Sequence, residues 1–506
     1  MDNRTKNVTR NILFGTINKI ATLLLPFVSR TLMLYLMGTI YLGANTLFSS
    51  ILNFLSLAEL GIGTAITYVM YKPIADNDIS SINALMYYFK KLYRIIGSVI
   101  LVIGFSICPF IKFLIKGESP DNVNIYFLFI LYLFNTAISY FFSGYRQSLL
   151  TAYQRADVRD KIALIITIGV RICELLVIYF TRSLYFYVSV TIVGTLCTNL
   201  ITAIVTRRMF PEIKCGGEVS KQTREEIKKR LGGLFGTKLN SIVVHQADII
   251  IISAFLGLKL LTQYGNYYYI LNAVSGFVMM FFSSMTASIG NKIASDSTEN
   301  VYALFKKINF LNNWLVGWCS ICLLCLYHPF MIIWVKEELT LPILMSILMA
   351  AYFYIYQIQR TLLTFKDAGG LWYEDRFRPY ISMTVNLISN IVLVQIIGIY
   401  GIVVSTILAF FISLPWCNYV VFKHMFHMPP LKNLLKLILN FGITVVIGII
   451  TYFICFMLPV SILGVLGRLV VCIIVPNIIF VLLYKKSEEF AYVQSLTQKF
   501  VRRLKQ

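Results

Sequence analysis

Charge is scarce in this sequence. Only 13% of its 506 residues are Asp, Glu, Lys or Arg, against 58% that are hydrophobic. No soluble domain needs that much apolar surface, so a soluble globular chain is excluded. Acids are scarcer still, 23 against 45 Lys and Arg, which gives a formal charge of +22. Such an excess suggests nucleic acid until its distribution is read. Most of the cations fall in the termini and in alternate connections between apolar runs. That is the positive-inside pattern of a membrane protein. The opposite connections are very short and hold little cationic besides Lys116, Arg182, Lys259 and Lys336. A large polar loop or domain is also missing, which leaves a membrane polymerase or glycosyltransferase nowhere to put its chemistry. Asp76-Asn77-Asp78 fits a D-x-D pattern, yet it stands in a short basic loop without a nucleotide-binding fold and reads as a plain loop. A small-residue cleavage site is absent after the first apolar run, so that run is expected to stay as an uncleaved span. The ten cysteines lie mostly inside apolar runs, which argues against a disulfide scaffold. Cys319, Cys322 and Cys325 are spaced like iron–sulfur ligands, but they share one face of a membrane segment, where Cys packs as a small hydrophobe. No metal and no cofactor is expected.

What is present is a series of apolar runs of bilayer length. About fourteen candidate spans meet that criterion: 12–36, 43–71, 95–115, 123–145, 162–180, 184–206, 235–256, 264–288, 310–335, 340–365, 379–398, 400–422, 435–457 and 462–484. The fold expected is all-α and integral to the membrane, with both termini cytoplasmic. A faint repeat divides it. Leu13-Phe14-Gly15-Thr16 returns as Leu234-Phe235-Gly236-Thr237, and Ile51-Leu52-Asn53 as Ile270-Leu271-Asn272. The division expected is an N-lobe over 1–206, a cytoplasmic linker over 207–233 and a C-lobe over 234–427. Two further spans follow over 428–484, then a basic amphipathic tail over 485–506. The lobes form a parallel pseudo-repeat of about six helices each around a central cavity, a common transporter layout. In the linker, a surface helix is expected over Thr223–Leu231, supported by the i, i+4 pairs Glu225–Lys229 and Glu226–Arg230.

A few charges lie inside the spans. An ionisable group at mid-membrane costs about 2.5–3.5 kcal/mol on insertion scales, so it faces protein or water and marks a pathway. Lys19 and Arg30 share one face of the first span at two depths, with Pro26 between them to bend the helix. Arg171 and Glu174 occupy the fifth span, Glu59 the second, His245 and Asp248 the seventh, Arg360 the inner end of the tenth, and Arg468 the outer end of the last. Each has a plainer reading. Arg171 and Glu174 are i, i+3 and neutralise each other, Lys19 and Glu59 form a structural pair, and Arg360 and Arg468 snorkel. The balance is nevertheless positive, and a cavity of that sign attracts an anion such as phosphate.

Several stretches resemble one family. Leu57-Ala58-Glu59-Leu60-Gly61-Ile62-Gly63-Thr64-Ala65 is similar to the second-span motif of Wzx-type polysaccharide flippases. Gln246-Ala247-Asp248-Ile249-Ile250, with Gly257 and Tyr264-Gly265-Asn266-Tyr267, resembles their seventh- and eighth-span signature. Ser288-Ile289-Gly290-Asn291, then Asp367-Ala368-Gly369-Gly370-Leu371 through Pro379, Asn386 and Gly398-Ile399-Tyr400-Gly401, continue the likeness in family order. The resemblance implies the fold of the multidrug/oligosaccharidyl-lipid/polysaccharide exporter superfamily. It implies a transporter and no enzyme, working by alternating access in a bacterial cytoplasmic membrane. Its substrate would be an oligosaccharide repeat unit on undecaprenyl pyrophosphate, destined for O-antigen, capsule or exopolysaccharide. Partners would be membrane lipid, a polysaccharide polymerase and chain-length machinery, with no nucleic acid. Lys19, Arg30, Arg171 and Arg360 are the lumen cations that would hold the pyrophosphate. Glu59, Glu174 and Asp248 are candidates for coupling to an H⁺ or Na⁺ gradient, or for structural pairing. A lipid II flippase and a multidrug antiporter of the same superfamily are the alternatives.

Overall fold

A backbone in an apolar medium must satisfy its polar groups within the segment, and the helix is the open-ended way to do so. The computed structural model describes residues 24–59 and 61–492, with residues 18, 21, 22 and 494, and among them it contains helices and no strand. Lys19 and nearly all the tail beyond residue 492 lie outside the described residues. Ten helices are long and apolar enough to cross a membrane, or eleven if one bent pair counts as a single span. The chain is a multi-pass, all-α membrane protein.

Two compact units divide at Thr262 and Gln263. In the first, α1 (Leu24–Leu36) precedes α2 (Thr39–Leu55) and α3 (Ile62–Ala75). They are followed by α4 (Ile79–Ile107), α5 (Ile125–Phe141), α6 (Arg146–Ala152), α7 (Ala156–Thr181), α8 (Leu184–Met209) and α9 (Lys221–Leu256). Helix α2 packs along α9, and α5 lies between α4 and α8, with α7 against α8. The second unit contains most of α10 (Leu258–Ser295), then α11 (Thr298–Val335), α12 (Ile343–Ile358), α13 (Arg360–Ala368), α14 (Arg378–Ile397), α15 (Ile399–His424), α16 (Leu431–Phe456) and α17 (Ile462–Tyr484). Here α14 and α15 form a tight pair, while α11 touches α12, α16 and α17.

Among the described residues every expected span coincides with helix, but not every one is a single rod. The second expected span is α2 and α3, joined by a 3₁₀ turn at Ser56–Glu59 and broken at Gly61, whose φ is +81°. The fourth is α5 and α6, which meet at 50°. The tenth is α12 and α13, parted at Gln359. Only the part of the first span from Leu24 onward is fully described, and Pro26 has helical residues described on both sides of it, so it lies inside the helix. Where a linker helix and a separate seventh span are expected, there is one 36-residue helix, α9, opened by the Ser220 hydroxyl accepting from the Thr223 N–H at 3.1 Å. Gly232, Gly233 and Gly236 cost about 1 kcal/mol each there, too little to stop a helix with no proline in it. Glu225 pairs with Lys228 at 3.1 Å; the Lys229 and Arg230 side chains lie outside the described set. Asp78 of the D-x-D stretch caps α4, accepting from the Ser81 N–H at 3.0 Å, and hydrogen bonds from the Ser81 hydroxyl and then its backbone N–H hold its carboxyl below the usual range. The start of the tail folds onto α11, with Phe490 stacked on Trp314 at 5.9 Å and Lys307 over the Tyr492 ring at 4.8 Å.

Candidate functional site

In the first unit, a polar seam crosses otherwise apolar helices. Arg171 Nη1 donates to Glu174 Oε2 at 2.6 Å, and Thr191 Oγ1 of α8 donates to Glu174 Oε1 at 3.0 Å. Glu174 is fully buried, so the pair is a desolvated one that depends on its partners. The Tyr187 hydroxyl hydrogen-bonds with Arg171 and lies within electrostatic reach of Arg30. Arg30, half-buried on α1, also reaches the Thr262 carbonyl oxygen at 3.5 Å. Arg30 and Arg171 therefore converge on one tyrosine from different helices. Arg171 spends its charge on Glu174, as the pairing alternative expects. The seam continues through Thr195 to Asn135 at 2.9 Å and Asn199 to Ser139 at 3.2 Å.

Glu59 sits at the α2–α3 break. Tyr93 donates to its Oε1 at 2.5 Å and Tyr140 to its Oε2 at 2.9 Å. Among the described residues no cation pairs with it; its expected partner, Lys19, lies outside them. Lys238 of α9, which the sequence reading passes over, brings its Nζ to 2.8 Å from where a Cβ on Gly61 would stand. Asp248 is buried on α9 and belongs neither to the Glu174 pair nor to the Glu59 pair.

In the second unit, the break between α12 and α13 carries Arg360. Its guanidinium stacks over the Tyr356 ring at 5.2 Å, and Nε donates to Gln357 Oε1 at 3.4 Å. Arg360 Nη2 and Gln357 Nε2 are buried donors with no partner among the described residues. Two unsatisfied donors at one helix break, one of them cationic, form a seat for an anionic oxygen. The break is braced from both sides. Asn312 Nδ2 of α11 donates to the Gln357 and Ile358 carbonyls at 3.3 and 3.0 Å. Ser413 Oγ of α15 donates to Gln359 Oε1 at 3.1 Å and accepts from Arg378 Nη1 at 2.8 Å. Arg378 in turn grips Asp375 through two 2.7 Å bonds, and Asp375 also takes Lys366 at 3.0 Å. Lys366, Asp375 and Arg378 are all buried, and Asp375 and Arg378 lie within the stretch that carries the family resemblance. The i, i+3 spacing of Asp375 and Arg378 was the available signal. Arg468 does not snorkel. It is buried, and its Nη2 donates at 2.5 Å to the Leu458 carbonyl just past the end of α16.

No protein-family model matches this chain, and no curated protein matches its sequence. Its fold is shared with solved transporters. A structure of the lipid II flippase MurJ in an inward closed conformation has a TM-score of 0.68 at 15% identity, over 94% of this chain and 99% of that one. A mutant of the MATE transporter VcmN of Vibrio cholerae has a TM-score of 0.56 at 11% identity, over 85% and 100%. An inward-facing multidrug resistance MATE family transporter of the MOP superfamily has 0.56 at 13%, over 79% and 97%. At these identities the likeness is one of fold.

Proposed function

We propose that this chain is a flippase of the polysaccharide branch of that superfamily. It turns an oligosaccharide repeat unit linked to undecaprenyl pyrophosphate from the inner to the outer leaflet of a bacterial cytoplasmic membrane. The observation that carries the reading is the pair of buried, unsatisfied donors Arg360 Nη2 and Gln357 Nε2, an acceptor-seeking arrangement suited to a pyrophosphate oxygen. By their charge, Arg30 and Lys19 are assigned the same role towards phosphate, while Arg171 pairs with Glu174 and hydrogen-bonds with Tyr187. The lipid tail stays in the bilayer during alternating access, and Glu59, Glu174 and Asp248 are the candidates for ion coupling or structural pairing. Wzx-type motifs favour a polymer repeat unit, with a polymerase and chain-length machinery as downstream partners.

A second reading, lipid II as the cargo, is favoured by coverage. The MurJ structure accounts for 94% of this chain, whereas the two MATE structures leave 15–21% unaccounted for although nearly all of their own length is matched. That remainder is of the size of the segment from Leu431 onward, which weighs against the multidrug antiporter. The deciding experiment is mass spectrometry of undecaprenyl-linked glycans in a strain lacking this gene. A completed repeat unit accumulating on its carrier, with loss of surface polymer, supports the polysaccharide reading. Accumulated lipid II transfers the assignment to the second reading. Altered sensitivity to cationic drugs with no lipid-linked intermediate overturns both. Complementation by Arg30→Ala and Arg360→Ala tests the cations: transport should fail at normal expression, and full activity removes that residue from the role.

A further inference from the structure

Three cysteines far apart in sequence meet in the second unit. Cys325 of α11, Cys455 of α16 and Cys472 of α17 place their sulfurs within 4.8 Å of one another. None is more than 1% exposed, and the thiol of Cys325 hydrogen-bonds with both others. Ile321, Ile447 and Phe480 close around them, and Trp318 Nε1 fixes the local backbone of α17 by donating to the Cys472 carbonyl at 2.8 Å. Packing alone asks only that Cys fill space; it does not ask three helices to aim their sulfurs at one point. A second, independent feature is the charge beside them. Arg468 is 7% exposed, its Nε is buried without a partner, and it acts electrostatically on Cys455, whose Sγ donates to the Arg468 carbonyl at 3.9 Å. A buried guanidinium is costly without a counter-charge, and among the described residues no carboxylate pairs with this one.

We propose that Cys325, Cys455 and Cys472 form a binding site for one soft, thiophilic metal ion, with Arg468 as its counter-charge. Thiolate sulfur selects ions of that class, and an apolar shell offers nothing to the hard, oxygen-seeking ones. The charges close. A divalent ion on three thiolates carries −1, as does a monovalent ion on two thiolates and one thiol, and Arg468 brings either to neutrality. Binding releases three protons in the first case and two in the second. Only Cys325 of the Cys319, Cys322, Cys325 series takes part, so the ligand set is unrelated to the iron–sulfur-like spacing. The ion would clip α16 and α17 to α11, and the inference is independent of the cargo.

The test uses the full-length protein, reduced and in detergent, titrated with Cd(II) and separately with Cu(I). The expected result is one equivalent retained per chain after desalting, with thiolate-to-metal charge-transfer absorption in the ultraviolet. Cys455→Ser and Cys472→Ser should abolish both, and Cys319→Ser should leave them intact. Arg468→Met should weaken binding about 10–100-fold, as removal of an outer-shell group does. Folding is checked by size exclusion, and Cys472→Ala replaces any serine variant that aggregates. Failure of the reduced wild-type protein to retain either ion overturns the proposal. So does unchanged retention in folded variants, or a disulfide between two of the three cysteines with no metal held after reduction.

Discussion

The two units each break a membrane helix just before an arginine, and they do so by different means. In the first, α5 and α6 are separated by Phe142–Tyr145, Ser143 takes a φ of +65°, and Gly144 folds back so that its N–H donates to the Ser139 carbonyl at 3.1 Å. A Cβ on Gly144 would stand 2.3 Å from that oxygen, so glycine is required. In the second, one residue, Gln359, parts α12 from α13 with ordinary dihedrals, and the freed carbonyls are taken by Asn312. Arg146 opens α6 near the ring of Tyr145 at 5.9 Å; Arg360 opens α13 over that of Tyr356 at 5.2 Å. Beyond each short helix lies an ion pair: Arg155 with Asp157 at 3.0 Å in one unit, the buried Lys366–Asp375–Arg378 cluster in the other. One break is thus written into the backbone, the other is held open by side chains from neighbouring helices. The first should respond to local backbone changes and the second to distant polar ones.

Substitutions can break this contrast. The largest effect is expected for Asp375→Ala, which strands Arg378 as a buried charge and leaves Lys366 only the half-exposed Asp367; about 3–5 kcal/mol should be lost, read as a fall in thermal stability in detergent. Replacing all three residues by apolar ones of like size should restore most of it. Gly144→Ala comes next, at about 3 kcal/mol, because the added carbon meets backbone and nothing flexible. Asn312→Ala leaves the Gln357 and Ile358 carbonyls unanswered and should cost about 2 kcal/mol. The smallest of the four is Asp157→Ala, about 1 kcal/mol, since its partner Arg155 keeps more than a quarter of its side chain in contact with solvent. If Asp157→Ala proved as damaging as Asp375→Ala, the two ion pairs would be equivalent and the contrast would fall.

The same contrast explains what could be read from the sequence. Hydropathy marks the ten or eleven full-length spans because bilayer length is a local property. Ser143-Gly144 is a local signal for a break and was legible in principle. Gln359 bears no such mark: it breaks only because Asn312, far along the chain, offers a better partner than the next turn of helix. The same limit applies to the site. Arg171 and Glu174 are legible as i, i+3 partners, whereas the meeting of Arg30 with Tyr187, the two tyrosines on Glu59 and the three-helix cysteine cluster each depend on which helices become neighbours. Lys238 escaped notice because it lies near a span end, where a lysine is unremarked, until Gly61 is seen beneath it.

Helix α9 has one more implication. At 1.5 Å per residue its 36 residues span about 54 Å, while the apolar part, Phe235–Leu256, needs only about 33 Å of that. The remaining 20 Å or so extends the same rod past its apolar part, where Ile227 is buried and Arg224 lies over the Tyr88 ring of α4 at 5.7 Å. A tilt of about 10° in the apolar part would carry the far end of this extension by about 4 Å, and with it the packing on α4. A pair of spectroscopic labels, one near Lys221 and one on a neighbouring surface helix of the same unit, would therefore read small rotations inside the bilayer as easily measured displacements outside it.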